Sequence, residues 1–374
     1  MSATALRERL ASLSGDRRRP ARPRPEPRIP RGFEPVETAH GTAWRLADVL
    51  PVGRVAGPPP EPHVYFDTET TGVAGGTGTH VFAAAVCLLQ DAGLEVTQLF
   101  LPEPAAEPAF LCLLQQELAR AGRVATYNGG RFDLPLLRTR WVLARMPGDF
   151  EHPEHLDLLT MTRALLGQRL DSCTLRTVEE RVLGFDRDGD LPGALVPDAY
   201  LTYLRRGWSP LLEPALSHNR QDVVTLFYLH ARLLQHLRGG DARMRAADWL
   251  ALGRHLVRTG RRADGWRALR HAVAAPEGLP SGRAGLLLAR QLTRRRWYGG
   301  AERLLAGLQQ RLPEEPDVAI ARARLLEWRL GDLHEALEVV DAALPHVSPR
   351  SPQDLDLRHR RARLERRLTR ARRR

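Results

Sequence analysis

The 374-residue sequence contains no lysine: all 56 of its basic residues are arginine, while asparagine and isoleucine occur twice each. A phosphate loop of the G-x-x-x-x-G-K-[ST] type needs a lysine after its last glycine, so that class of nucleotide binder is excluded. Cysteine is almost as scarce. Cys87, Cys112 and Cys173, an odd number without a CxxC pair, supply neither a disulfide framework nor a zinc site, and predict a reducing, cytoplasmic setting. The longest apolar run, Val81 to Leu89, falls far short of the roughly 20 residues of a spanning helix, so no membrane segment is expected. The opening MSATALRERLASLSGDRRR lacks the apolar stretch of a secretory signal. Aromatic residues make up only 6%, which predicts backbone tracking rather than base readout on any nucleic acid.

These shortages change how the rest is weighed. Arginine without lysine is the mark of GC-rich coding, so the net charge of +12 is by itself weak evidence for a polyanionic partner. Conversely, Asn128 and Asn219, the two surviving asparagines, become candidates for roles that Asp, Ser or Gln cannot fill. The charge is also uneven. Residues 1–60 carry 11 Arg against 6 acids, residues 61–235 carry 15 against 22, and residues 236–374 carry 30 against 16. An acidic middle lies between basic flanks.

RRRPARPRPEPRIPR at 17–31 and PPPEP at 58–62 cannot bury a core, so residues 1–60 read as a largely disordered Arg/Pro-rich arm. From His63, VYFDTET, HVFAAAVCLL and LEVTQLFL read as three strands, followed by the helix PAFLCLLQQELARAG, the strand RVATYN and the helix FDLPLLRTRWVLARM. HLDLLTMTRALLG then reads as strand into helix, and ALSHNRQDVVTLFYLHARLLQHL as a long amphipathic helix. This order predicts an α/β fold, a mixed sheet with a partly antiparallel edge flanked by helices, over 61–238.

Beyond Gly239 only helical patterning remains. Trp249, Leu252, Gly253, Leu256, Gly260, Gly265, Leu269 and Ala272 follow a tetratricopeptide (TPR) spacing, whose period is about 34 residues. Gly265, Ala301 and Ala336 mark weaker recurrences, and Gly260 and Gly331 both fall at turns. An all-α, TPR-like helical-repeat domain is expected over 242–350, with a basic C-terminal helix or tail over 351–374 and a protein partner for the repeats.

The informative residues sit in the acidic middle. Asp67 and Glu69 are two apart on a strand and share a face. Two carboxylates there are costly unless a cation neutralises them, although a strand end can also be simply solvated. YNGGRFDLP places Asn128 at a strand end and Asp133 at a helix start, where an Asp also serves as an ordinary N-cap. SHNRQDVVTL places His218 and Asp222 one helical turn apart, with Leu226 and Leu229 turning that face towards the sheet.

Together DxE (Asp67, Glu69), N-x3-F-D (Asn128 to Asp133) and HxxxD (His218 to Asp222) resemble the DEDD exonucleases of the ribonuclease H-like, DnaQ-like superfamily, and more closely its YprB-like branch. The resemblance covers roughly residues 61–238. It implies a ribonuclease H-like fold in which Asp67, Glu69, Asp133 and Asp222 hold two Mg2+ or Mn2+ ions, about 3.5–4 Å apart, for in-line attack on a phosphodiester. Asp67 would bridge the ions, Glu69 and Asp222 would complete one site, and Asp133 would support the other. His218 would act on the attacking water; its spacing from Asp222, that of the tyrosine-type members, leaves open whether as general base or as positioning group. Thr70 and Gly72, in the glycine-rich TTGVAGGTGTH after the first acidic strand, and Asn128 and Asn219 are the candidate substrate-binding residues.

The activity implied is a 3′–5′ exonuclease on single-stranded DNA or RNA ends, with a structure-selective endonuclease on the same fold and a non-catalytic nucleic-acid-binding scaffold as alternatives. An arginine-filled acid pocket would favour the scaffold. Asp157 is expected to be structural, His152 and His155 to be surface residues, and Tyr127 and Phe132 to be core.

Overall fold

A computed structural model describes residues 26–53, 63–72, 76–146, 154–185, 187, 189, 191–239, 244–275 and 278–372. The start of the Arg/Pro-rich arm, the proline run, part of the glycine-rich loop and His152 lie outside the described residues. The described residues fall into two compact units, one within 26–157 and 187–227, the other within 158–185 and 228–372.

The first unit is built on seven strands: β1 (Glu34–Thr38), β2 (Gly41–Leu50), β3 (Val64–Thr70), β4 (Val81–Gln90), β5 (Gly93–Phe100), β6 (Arg123–Thr126) and β7 (Glu154–Asp157). They lie in the order β1-β2-β5-β4-β3-β6-β7. β3, β6 and β7 run parallel and every other neighbouring pair is antiparallel, which is the mixed sheet expected. The apolar run that was too short for a membrane is β4, buried on both faces over Val81–Leu88, as a strand in the middle of a covered sheet must be. Helices α1 (Glu107–Leu118), α2 (Asp133–Leu143), α3 (Leu158–Leu166), α4 (Val196–Arg206) and α5 (Leu212–Leu237) follow the strands.

The first two strands correct the reading of residues 1–60 as an arm. The Arg/Pro density ends at Arg31, and β2 is paired along both sides, with β1 and with β5 from Trp44↔Phe100 to Leu50↔Leu94. Phe33, just before β1, packs on Phe100 with ring centroids 5.8 Å apart. Composition averaged over sixty residues had hidden a hairpin that belongs to the core.

The second unit is helical. After α3, its helices are α6 (Ala246–Arg258), α7 (Arg262–Ala274), α8 (Gly278–Arg294), α9 (Tyr298–Arg311), α10 (Pro316–Leu325), α11 (Leu333–Ala343) and α12 (Pro352–Arg372). By packing, the division falls earlier than residue 238: α3 packs on α6, and α5 from Tyr228 onward groups with the helices. α6 and α7 approach closely at two glycines. A Cβ on Gly253 would stand 2.6 Å from Leu269 Cγ, and one on Gly265 2.6 Å from Val257 Cγ2.

The basic C-terminal helix is not a tail. Leu357 and Leu364 of α12 are fully buried against Ala319, Ala323 and Val340. Glu327, 2% exposed, receives hydrogen bonds from Arg360 (2.9 Å), Arg363 (2.8 and 2.7 Å) and Arg367 (3.1 Å). Burial pushes the Glu327 carboxyl up, but the hydrogen bonds and charges of these arginines prevail and hold it below the usual carboxylate range. No described helix is long and apolar enough to cross a membrane.

Candidate active site

Because β3, β6 and β7 are parallel, their carboxyl ends emerge on one side of the sheet, where ligands of open α/β sheets bind. Asp67 and Glu69 lie at the end of β3, Asn128 just past β6, and Asp157 at the end of β7. The register puts Ala85 opposite Asp67 and Ala83 opposite Glu69, small residues that leave room on that face, and a bulge follows between Glu69 and Thr70.

Asp67, Glu69, Asp133 and Asp222 converge. The Asp67 carboxyl is pushed well above its ordinary range, first by burial and then by the charges of Asp222, Asp133 and Glu69. Opposing this, the Asn219 Nδ2 donates to Asp67 Oδ2 over 2.8 Å. Asn219 is itself fully buried, and its Oδ1 accepts from Gln98 Nε2 at 3.0 Å, while the same Nε2 donates to the Leu216 carbonyl at 2.8 Å. A line of two amides from β5 through α5 thus fixes the Asp67 carboxylate. This corrects the reading of Asn219 as substrate-binding, because both ends of its carboxamide are engaged inside the protein. A carboxylate in its place could not donate to Asp67, and a serine hydroxyl is too short to span both partners.

Asp133 is the first residue of α2 and not its N-cap; its Oδ1 accepts a short hydrogen bond from the Thr68 hydroxyl. Burial raises its carboxyl above the usual range, hydrogen bonds from Thr68 and the backbone counter this, and the Asp157 charge adds to it. Asn128 adopts φ of +69°, a left-handed conformation that asparagine tolerates better than most residues, and its N–H donates to Asp157 Oδ1 at 3.0 Å. Asparagine accommodates this turn after β6, and Asp157 holds it, as expected of a structural residue.

His155 is half-buried rather than on the surface, its Nε2 2.9 Å from the Thr126 hydroxyl. Tyr127 is half-buried, but Phe132 is 57% exposed beside Asp133, so the expectation that it packs in the core is wrong. Thr70 Oγ1 donates to the Gly72 carbonyl at 2.9 Å, and Thr71 pairs with His80 across the glycine-rich loop. The far side of that loop is tied down by Arg140 of α2, 4% exposed, which donates to the Thr77 carbonyl at 2.8 Å and to both oxygens of buried Glu107.

On α5, His218 Nε2 stands 3.7 Å from Asp222 Oδ2. Between them reaches Arg187, which no motif flagged: its Nη2 donates to Asp222 Oδ1 at 2.5 Å and its Nη1 lies 3.1 Å from His218 Nδ1. A guanidinium can only donate, so His218 Nδ1 accepts and a neutral ring carries its proton on Nε2. Gln98 had a weak signal, a lone amide in an otherwise apolar strand. Arg187, in the charged FDRDGD, had none.

The donor set is all carboxylate oxygen, suited to hard divalent cations, and the mutual repulsion at Asp67 is what such a cation relieves. The residues therefore fit one or two such ions, by the chemistry of the set. Among the described residues, no three candidate ligands are yet gathered at ligating distance of one point.

Residues 64–234 match the family RNase_H_2, of the RNase_H superfamily. They form an RNase H-superfamily domain. Over 173 residues the chain is 36% identical to the uncharacterized protein YprB of Bacillus subtilis (strain 168), spanning 45% of this chain and 41% of that protein. The chain thus covers well under two thirds of the relative's length. Among solved structures, a family B DNA polymerase from the hyperthermophilic archaeon Pyrobaculum calidifontis overlays 86% of this chain and 50% of its own, at 15% identity and a TM-score of 0.37, a likeness that says nothing of function. The RNase H-superfamily domain includes every residue from Asp67 to Asp222 described above.

Proposed function

We propose that the chain is a metal-dependent nuclease, and specifically a 3′–5′ exonuclease on single-stranded DNA or RNA ends working with two Mg2+ or Mn2+ ions. The observation that carries the reading is the gathering of Asp222, Asp133 and Glu69 around Asp67, whose carboxyl burial first and then their charges hold well above the ordinary range. A domain with no use for a cation has no physical reason to keep four mutually repelling acids together.

When bound, the cations supply an activated water and neutralise charge developing on the phosphate. The chain's own residues supply the positions. Asn219 aims the Asp67 carboxylate and Thr68 aims that of Asp133. Phe132, open to solvent beside Asp133, offers a face for the terminal base. Thr70 and Gly72 shape the loop at the end of β3, where backbone amides can meet the terminal nucleotide. His218 takes a proton at Nδ1 only once Arg187 withdraws from it, so in the present arrangement it positions rather than abstracts. The helical unit, read as TPR-like, provides a second binding surface, and a reducing cytoplasm suits the cysteine usage.

Arg187 is also the observation that favours the scaffold alternative, since an arginine already neutralises one acid. Its pairing with Asp222 leaves Asp67 raised by the charges of Asp222, Asp133 and Glu69 as well as by burial, which keeps the catalytic reading ahead. The test is incubation of end-labelled single-stranded DNA, duplex DNA and RNA with the protein in Mn2+, Mg2+ or EDTA, beside Asp67→Ala. Shortening from the 3′ end that needs the metal and Asp67 is expected. Internal cuts would indicate the endonuclease, and absence of any metal-dependent product would leave only the scaffold.

A further inference from the structure

We infer that the helical unit carries its own binding site for single-stranded nucleic acid. The site is a groove of about 970 Å³ between α8 and the α10 segment, floored by Ala289, Leu305 and Leu325. Arg290 and Arg294 line it from α8, Arg324 from α10, and Trp328 and Arg329 from the π-helical turn Leu326–Leu330. Asp317 is the single acid in the lining.

The four groove arginines face one recess. All are exposed, and none forms an ion pair with a carboxylate among the described residues. Several arginines elsewhere in the unit are spent on acids: Arg322 on Glu302 and Glu335, Arg358 on Asp354, Arg361 on Asp341 and Glu365, and Arg360, Arg363 and Arg367 on Glu327. In a chain where arginine abundance is compositional, the informative arginines are those that converge on one groove without an acid.

The groove also has an aromatic platform. Trp328 is 58% exposed, and its ring is backed by Arg363 and Arg367 with guanidinium carbons 5.5 and 5.4 Å from the centroid. Those two arginines are clamped by buried Glu327, so the indole is presented on a fixed support. Guanidinium groups that recognise phosphate, beside an exposed indole on which a base can stack, form the chemistry of a single-strand track. An acidic peptide would satisfy the arginines and leave the indole without a role.

The inference deepens the nuclease reading and rests on it for the choice of polyanion, but its test needs no cleavage. Binding of labelled oligo(dT) and oligo(rU) to the full chain is measured by fluorescence anisotropy in EDTA across a salt series. Arg290→Gln/Arg294→Gln/Arg324→Gln/Arg329→Gln is expected to weaken binding about tenfold or more and to flatten the log K against log salt slope by about 0.7 for each phosphate left without its guanidinium. Trp328→Leu is expected to weaken it about tenfold while leaving the slope unchanged. Comparison of the two oligomers assigns the sugar.

Wild-type affinity and slope in both variants, with unchanged circular dichroism, would overturn the inference. So would arginine-dependent binding of polyglutamate without oligonucleotide binding, which would make the groove a protein site. Should the quadruple variant misfold, Trp328→Leu, a change at an exposed side chain, decides alone. A protein that binds through the groove yet never cuts in Mn2+ would sink the nuclease reading and leave this one standing.

Discussion

Two acids, the half-buried Asp67 in the sheet unit and the buried Glu327 in the helical unit, are treated in opposite ways. Glu327 is surrounded by Arg360, Arg363 and Arg367 and held below the usual carboxylate range, whereas Asp67 is surrounded by Asp222, Asp133 and Glu69 and forced well above it. Both are taken from water, so burial is not the difference. A carboxylate kept for architecture is neutralised by groups that are part of the chain. Asp67, on the proposed nuclease reading, has a neutral amide to aim it and leaves its counter-charge to an exchangeable cation.

Breaking each acid gives opposite outcomes. Asp67→Asn should lower metal-dependent cleavage by about 10³-fold or more, read as initial rates on a 3′-labelled single strand. Glu327→Ala should cost about 3–5 kcal/mol in urea unfolding, because it removes the shared acceptor of three arginines and leaves the buried Arg360 only its longer contact with Asp356. Asn219→Ala, which releases the Asp67 carboxylate without touching its charge, should weaken Mn2+ affinity or activity about 10–100-fold. Arg187→Gln should tighten Mn2+ binding about tenfold by calorimetry, since the ion then no longer displaces a guanidinium from Asp222; a weaker affinity would show that Arg187 supports the site instead.

The smallest effect separates the two acids most cleanly. With its folded value raised, Asp67 costs nothing below its unfolded value of about 3.9, and the cost grows as pH rises through the folded value. In EDTA at neutral pH, Asp67→Asn should therefore be more stable than wild type by about 1 kcal/mol, a gain that disappears near pH 4. Glu327, with its folded value depressed, stabilises fully above about pH 4.3, and this contribution is lost as pH falls through the folded value. Melting curves from pH 7 to 4 should bring Asp67→Asn down onto wild type, whereas Glu327→Gln should stay below wild type throughout that range and approach it only at lower pH.

The acids and their elements were legible in the sequence because carboxylates at strand ends and at one helical turn leave a pattern within a few residues. What aims them was not. Gln98 and Asn219 are 121 residues apart, and Thr68 and Asp133 are 65 apart, so their pairing exists only after the sheet has formed. Asn219 was noticed for its rarity, yet rarity did not say which way its carboxamide faced. Asn128 was noticed for the same reason, and its left-handed backbone angle and its N–H bond to Asp157 left no trace in the sequence. Arg187 was hidden by the 55 other arginines, and the β1–β2 hairpin by the prolines before it.

The hairpin has a practical consequence for anyone dividing the molecule. A fragment begun at residue 60, where the composition changes, would strip β2 from β5 and leave the strand Gly93–Phe100 with an open row of amides and carbonyls beside an apolar face. Such a fragment should associate with its own copies through that edge and be recovered as aggregate, with Asp67 and its neighbours intact but unmeasurable. A fragment that keeps residues from 26 onward retains the covering strand, and is the shorter form in which to expect well-behaved protein.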